Sequence, residues 1–123
     1  MDHAPGFLAM VNDAKSRVKE ISIEQARERL KQNPDALFID VREDAEWQNG
    51  HAAEAMHLGK GVLERDIEKA IPDKHRELIM YCGGGFRSAL TADIAQKMGY
   101  KNVASLIGGY KGLVGANWPM KKP

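Results

Sequence analysis

Two short runs constrain this chain more than any other feature: residues 36–41 (Ala-Leu-Phe-Ile-Asp-Val) and 78–81 (Leu-Ile-Met-Tyr) are nearly unbroken apolar stretches with charged residues before them. A strand with one wet face alternates apolar and polar residues, whereas a strand apolar throughout must be covered on both faces. Helical patterns supply the cover. Ser22 stands three residues before Gln25, a capping-box pair that predicts a helix running to about Asn33 and stopped by Pro34. Residues 43–49 read as a short helix ended by Gly50, residues 62–71 as a helix closed by Pro72, and residues 87–98 as a helix with Leu90, Ile94 and Met98 on one side and Gly99 at its end. Further strands are expected at 18–21, 55–58 and 103–106, the last leading through Gly108 and Gly109 into a short helix. Strands alternating with helices predict an α/β fold: a mostly parallel central sheet with helix layers on both faces, whose ligands bind beyond the carboxyl ends of strands.

Ahead of this pattern, Phe7, Val11, Ala14 and Val18 recur at spacings of four, three and four, giving one apolar stripe on an opening helix. We read residues 1–17 as an amphipathic extension docked on its own domain, since such stripes mostly face a core. The remaining 18–123 form one compact unit, because 123 residues make about one domain.

The 18 basic and 17 acidic side chains nearly cancel and the basic ones are scattered, which disfavours nucleic acid as a partner. A single cysteine excludes an internal disulfide and, with few histidines, argues against a structural metal site. The apolar stretch 7–11 is too short for a signal peptide or a membrane span. A cytoplasmic protein with no membrane partner is expected.

That lone cysteine, Cys82, falls where the strand 78–81 ends, followed by Gly83, Gly84, Gly85, Phe86, Arg87 and Ser88 before the next helix begins. Without Cβ atoms, consecutive glycines can take left-handed conformations and turn successive amide protons inward, forming a bowl for an anion. Free thiols ionise near pH 8.5, whereas those at helix N-termini or beside cations fall to roughly 3.5–7.5. A drop of about two units requires roughly 2.7 kcal/mol of preference for the anion. A helix dipole supplies about 0.3–1 kcal/mol, and hydrogen bonds to a charged group about 1.5–3 kcal/mol each. Loop amides, rather than the dipole, are therefore expected to make Cys82 a nucleophile. The plainer alternative is a small buried hydrophobe beside a glycine turn. Phosphate-loop and dinucleotide readings fail on spacing: no Gly-Lys-Ser or Gly-Lys-Thr follows, and Ser88 stands where a fingerprint starting at Gly83 needs Gly or Ala.

The run Cys82-Gly83-Gly84-Gly85-Phe86-Arg87-Ser88 resembles the active-site loop of single-domain rhodaneses. Other stretches agree: Phe38-Ile39-Asp40-Val41-Arg42-Glu43 resembles their strand-ending Asp-Val-Arg segment, Glu46, Trp47, Gly50 and His51 the residues that follow it, and Leu106-Ile107-Gly108-Gly109-Tyr110 their late double-glycine turn. The chain departs from the family at Ala52-Ala53-Glu54-Ala55, where an Ile-Pro-Gly-Ala turn is usual. The resemblance implies a three-layer rhodanese-like fold and a sulfurtransferase. Its Cys82 thiolate takes sulfur from a donor such as thiosulfate, holds it as a persulfide, and passes it to cyanide or a thiol. It implies no metal or organic cofactor. The amides of Gly83, Gly84, Gly85, Phe86 and Arg87 would hold the persulfide, with Ser88 completing the loop and the Arg87 side chain adding positive charge for the donor.

Asp40 and Arg42, at the end of the other buried strand, are candidate supporting residues. Asp40 would cap amides or pair with an arginine, and Arg42 would either do likewise or attract an anion at the pocket edge. Phe86 is expected to be an apolar wall, Glu46 and His51 to hold a helix and a turn, Lys111 to be an ordinary solvated lysine or else an extra cation facing the pocket, and His3 to lie in a mobile terminus. A sulfur-trafficking protein is a further candidate partner of such an enzyme, and two alternatives stay open: a rhodanese-like docking or regulatory module without catalysis, and a cysteine-dependent phosphatase. The phosphatases place five residues between Cys and Arg, and this chain has four, Gly83 to Phe86.

Overall fold

The computed structural model of the chain describes residues 3–123, in which seven strands and six helices follow one another. The expected buried strands form the middle of one parallel sheet. β5 (Leu78–Tyr81) lies at its centre between β2 (Leu37–Asp40) and β6 (Val103–Leu106), with β1 (Lys19–Ile21) outside β6 and β4 (Met56–His57) outside β2. Leu78 pairs with Leu37 on one side and Val103 on the other, and Met80 with Ile39 and Ser105, so the carboxyl ends of three strands finish level with one another.

All four residues of β5 are buried, and their side chains divide between two cores. Leu78 and Met80 pack with Leu63 and Ile67 of α4 (Lys60–Ala70) and with Ala92 and Ala95 of α5 (Phe86–Lys97). Ile79 and Tyr81 pack on the opposite face with Ala26 of α2 (Ile23–Gln32) and Leu113 of α6 (Gly109–Gly115). This explains the unbroken apolar runs, because neither face of the sheet meets water. The predicted capping box is present at α2: Ser22 Oγ accepts from the Gln25 amide at 3.1 Å and Gln25 Oε1 from the Ser22 amide at 2.8 Å.

The opening helix, α1 (Pro5–Lys15), is shorter than its stripe suggests. Val18 lies beyond it, at the entry to β1, and is buried in the α4/α5 core. Val11 and Ala14 pack on Ala89 and Leu90 of α5, and Arg17 forks onto Asp93 of α5, Nε to Oδ1 at 3.0 Å and Nη2 to Oδ2 at 2.8 Å. α1 is thus fixed to the helix that follows the Cys82 loop. Two elements had no sequence signal. β3 (His51–Ala52) and β7 (Met120–Lys121) pair antiparallel in a separate small sheet, and two residues are too few to show an alternation. The short helix α3 (Asp44–Gln48) stands before β3 as expected.

The turn after α5 is tied to α4 by Tyr100, whose buried hydroxyl donates to the carbonyl of Ile71 at 2.5 Å and lies 3.2 Å from that of Ile67. Tyr100→Phe keeps the ring and strands the Ile71 carbonyl, while that of Ile67 keeps its bond from the Ile71 amide, so it should lower the stability to urea by about 1–3 kcal/mol with an unchanged far-ultraviolet circular dichroism spectrum.

Candidate active site

Cys82 is the first residue after β5, and its loop enters α5 within four residues. Gly85, at the N-cap of α5, has φ +100°, a left-handed conformation that turns its amide back toward the strand end. The amides of Gly85 and Ser88 both donate to Cys82 Sγ, at 3.1 and 3.3 Å. Ser88 Oγ lies 3.5 Å from the sulfur and is itself 2.8 Å from Ser105 Oγ on β6. Ser88 offers its amide to the sulfur directly, and the amides of Gly83, Gly84, Phe86 and Arg87 donate to no acceptor among the described residues. Of the three glycines only Gly85 is left-handed. A Cβ at Gly83 would sit 3.1 Å from Arg87 Nη2, a tight contact that the guanidinium would have to yield to, while at Gly84 the nearest atoms would be 3.9 Å away.

A second loop braces the first. The Tyr110 amide donates to the Cys82 carbonyl at 2.7 Å and the Lys111 amide to the Gly83 carbonyl at 3.2 Å. Gly109, with φ +52°, permits this approach, because a Cβ on it would lie 2.5 Å from the Cys82 oxygen and 2.8 Å from the Gly83 carbonyl carbon. The double-glycine turn is a backbone clamp on the cysteine loop.

The cysteine residue is 1% exposed, yet it forms part of the lining of a cavity of about 690 Å³. One side of this cavity is built by the Cys82 loop with Phe86, Arg87, Glu46 and Lys111, the other by His3, Ala4 and Phe7. Glu46 was expected only to hold its helix. It also grips Arg87 with both oxygens, Nη1 to Oε1 at 2.6 Å and Nη2 to Oε2 at 2.9 Å. The grip of Arg87 pulls the Glu46 carboxyl down to about 2, and the carboxylate in turn raises Arg87. The Arg87 charge is thus matched by an adjacent carboxylate.

A sequence model of the rhodanese-like domain family matches residues 22–116. The chain belongs to the rhodanese-like domain family. It is 37% identical over 93 residues to the thiosulfate sulfurtransferase GlpE of Coxiella burnetii, an alignment covering 76% of this chain and 84% of that one. Among solved structures, a Rhodopseudomonas palustris protein of unknown function, described as a possible tyrosine phosphatase, superposes with TM-score 0.86 at 28% identity over 98% of each chain. The polysulfide-sulfur transferase homodimer of Wolinella succinogenes superposes with TM-score 0.81 at 26% identity, over 96% of this chain and 88% of that one.

Within this rhodanese-like domain, Asp40 and Arg42 sit together and away from the cavity lining. Arg42 Nη2 reaches Asp40 Oδ2 at 2.8 Å and the Gly50 carbonyl at 2.7 Å, and Asp40 Oδ1 accepts the Arg42 amide at 2.9 Å. The guanidinium lies 4.0 Å over the Tyr110 ring. Arg42 therefore ties the end of β2 to the residue before β3 and to the double-glycine turn, and it is 4% exposed. His51 stacks on Trp47 with centroids 3.4 Å apart, which fits its expected part in holding the turn. His3 lines the cavity rather than standing apart from it, and Lys111 is exposed while also bordering the cavity. No local pattern signals either, because each reaches the site through tertiary packing.

Two outcomes follow from this geometry. Gly109→Ala should destabilise the domain by about 1–3 kcal/mol through strain and the clash with the Cys82 carbonyl, whereas Gly84→Ala should stay within about 0.5 kcal/mol, as thermal melts of the two will show. Because the folded carboxyl of Glu46 titrates near 2 rather than its ordinary 4.5, its contribution to stability is complete above pH 4.5 and disappears as pH falls toward 2. The stability gap between wild type and Glu46→Gln should accordingly be constant from about pH 5 to 7 and shrink below pH 4.5, measured by urea titration at each pH.

Proposed function

We propose that this chain is a sulfurtransferase that carries sulfur on Cys82. The Cys82 thiolate attacks the outer sulfur of a donor such as thiosulfate, a new S–S bond forms, and the donor's S–S bond breaks with its electron pair leaving on sulfite. The resulting persulfide is attacked at its terminal sulfur by cyanide or a thiol, and the electron pair of the broken bond returns to Cys82. The observation that carries this reading is the pair of amides, Gly85 and Ser88, aimed at one sulfur on the lining of an open cavity. Such donors favour an anionic sulfur and require no partner base. The unengaged amides of Gly83, Gly84, Phe86 and Arg87 lie next along the chain to receive the second sulfur, and no cofactor takes part. The kinship with a thiosulfate sulfurtransferase supports the same donor class. The reading includes a reducing, cytoplasmic setting, in which a lone thiol stays unpaired.

A phosphatase reading draws on the description of the Rhodopseudomonas palustris neighbour. Against it stand the four residues between Cys82 and Arg87, one fewer than the phosphate cradles of cysteine phosphatases carry, and the commitment of both terminal Arg87 nitrogens to Glu46. A docking module without catalysis would need neither the ordered sulfur nor its cavity.

Incubation with thiosulfate should add one sulfur atom to the intact protein, read by mass spectrometry and absent from Cys82→Ser. An unchanged mass in the wild type, or efficient Cys82-dependent hydrolysis of an aryl phosphate, would overturn the proposal.

A further inference from the structure

The cavity is far larger than an inorganic sulfur donor needs. About 690 Å³ lies within the range of pockets that enclose organic ligands, roughly 300–1,000 Å³. Its far wall comes from the N-terminal segment, outside the span matched by the family model. There His3 stacks obliquely on Phe86 with centroids 4.4 Å apart and on Phe7 at 5.2 Å, and Phe7 stands 6.5 Å from Phe86. The wall is rigidly supported, because Val11, Ala14 and the Arg17–Asp93 fork fix α1 to α5. The charges are asymmetric as well. Arg87 is matched by Glu46, whereas among the described residues no carboxylate pairs with Lys111, which completes the lining beside Gly83 and Gly84.

We infer that this pocket accepts as its second substrate an organic thiol with an apolar or aromatic body and an anionic group. The body lies against Phe7, His3 and Phe86 and the anion beside Lys111. The inference rests on the sulfurtransferase reading and deepens it. With a small donor such as thiosulfate loading Cys82, the aromatic wall has no part in the first half-reaction, so its apolar surface serves the acceptor. In the step itself the acceptor thiolate attacks the terminal sulfur of the Cys82 persulfide. An S–S bond forms to the acceptor, the bond to Cys82 Sγ breaks, and the electron pair returns to Sγ. One anionic thiolate and one anionic persulfide become one of each, with no oxidant or reductant. Phe7 and Lys111 are specificity residues, acting on which acceptor binds.

The test separates the two levels of the argument. Protein loaded with thiosulfate is first checked by mass for one added sulfur; failure there removes the sulfurtransferase reading itself. Loaded protein is then assayed with cyanide, thiophenol and 4-mercaptobenzoate as acceptors. Wild type should show a lower KM for 4-mercaptobenzoate than for thiophenol. Phe7→Ala should raise the KM for both aryl thiols relative to that for cyanide by about three- to tenfold, as expected for losing one aromatic contact. Lys111→Gln should raise the KM for 4-mercaptobenzoate over that for thiophenol by about threefold. Phe7→Leu, which keeps α1 packed, should show the same trend at smaller size. If loading proceeds but neither substitution changes the ratios between acceptors, the acceptor assignment is wrong while the sulfurtransferase stands.

Discussion

Two amide protons aimed at one sulfur are the constraint around which the rest of this structure is arranged. A buried thiol makes weak hydrogen bonds, and nothing in packing alone requires a tight turn of three glycines after a central strand. The turn becomes intelligible once Gly85 and Ser88 are seen to converge on Cys82 Sγ at 3.1 and 3.3 Å. That convergence needs a left-handed residue at the start of α5, which Gly85 supplies at φ +100°. It needs a strand that cannot shift, which β5 supplies by being buried on both faces. It also needs the loop carbonyls fixed, which the Tyr110 and Lys111 amides do at a separation only glycine at position 109 permits.

Electrostatics around the sulfur follow a division of labour. The two arginines that a sequence reader would place near an anion are each matched by a carboxylate, Arg42 by Asp40 and Arg87 by Glu46. Arg42 is buried, and a buried cation without its partner would be costly, so the pair holds β2 to the neighbouring loops. The Arg87 pair is part-exposed and borders the cavity, where it gives shape with little net charge. On the sulfurtransferase reading, an anionic sulfur at Cys82 is held by peptide dipoles, whose orientation is set by the backbone and which need no counter-ion to be buried with them.

The α/β class was legible because burial on both faces leaves a visible mark: Leu78 to Tyr81 carries no polar residue, and the helices around it carry caps and stripes. The capping box of Ser22 and Gln25 was readable as two residue types at one spacing, since both bonds are local. The cysteine loop was equally visible, as strand, cysteine, glycines and helix lie within a dozen residues. Long-range partners were not. Glu46 and Arg87 are 41 residues apart, and nothing in either neighbourhood distinguishes that fork from a solvated pair. Val18 satisfied a helical spacing but belongs to the entry of β1, because the stripe of α1 and the next core residue happen to fall in register. β3 and β7 pair from opposite ends of the domain sequence, His51 with Lys121 and Ala52 with Met120, and are too short to leave any alternation.

The N-terminal helix carries the argument one step further. Four strands of the central sheet, the cysteine loop and its double-glycine clamp lie within residues 22–116, with β1 immediately before them, so the Cys82 loop is built without α1. What α1 and the residues just before it add is a wall: His3, Ala4 and Phe7 join Phe86 in lining the cavity at Cys82, with His3 against the Phe86 ring. An element outside the shared core that contributes apolar surface but no donor to the sulfur cannot change how the sulfur reacts. It changes what can come near it. Its firm attachment, through Val11, Ala14 and the fork of Arg17 on Asp93, means that this surface is preorganised rather than assembled on binding. Preorganised apolar surface strengthens binding by reducing the entropy lost when a ligand is fixed, and it does so only for ligands with apolar area to bury. On the sulfurtransferase reading, reactivity therefore resides in the family core and selectivity in the added helix, and the two can vary independently.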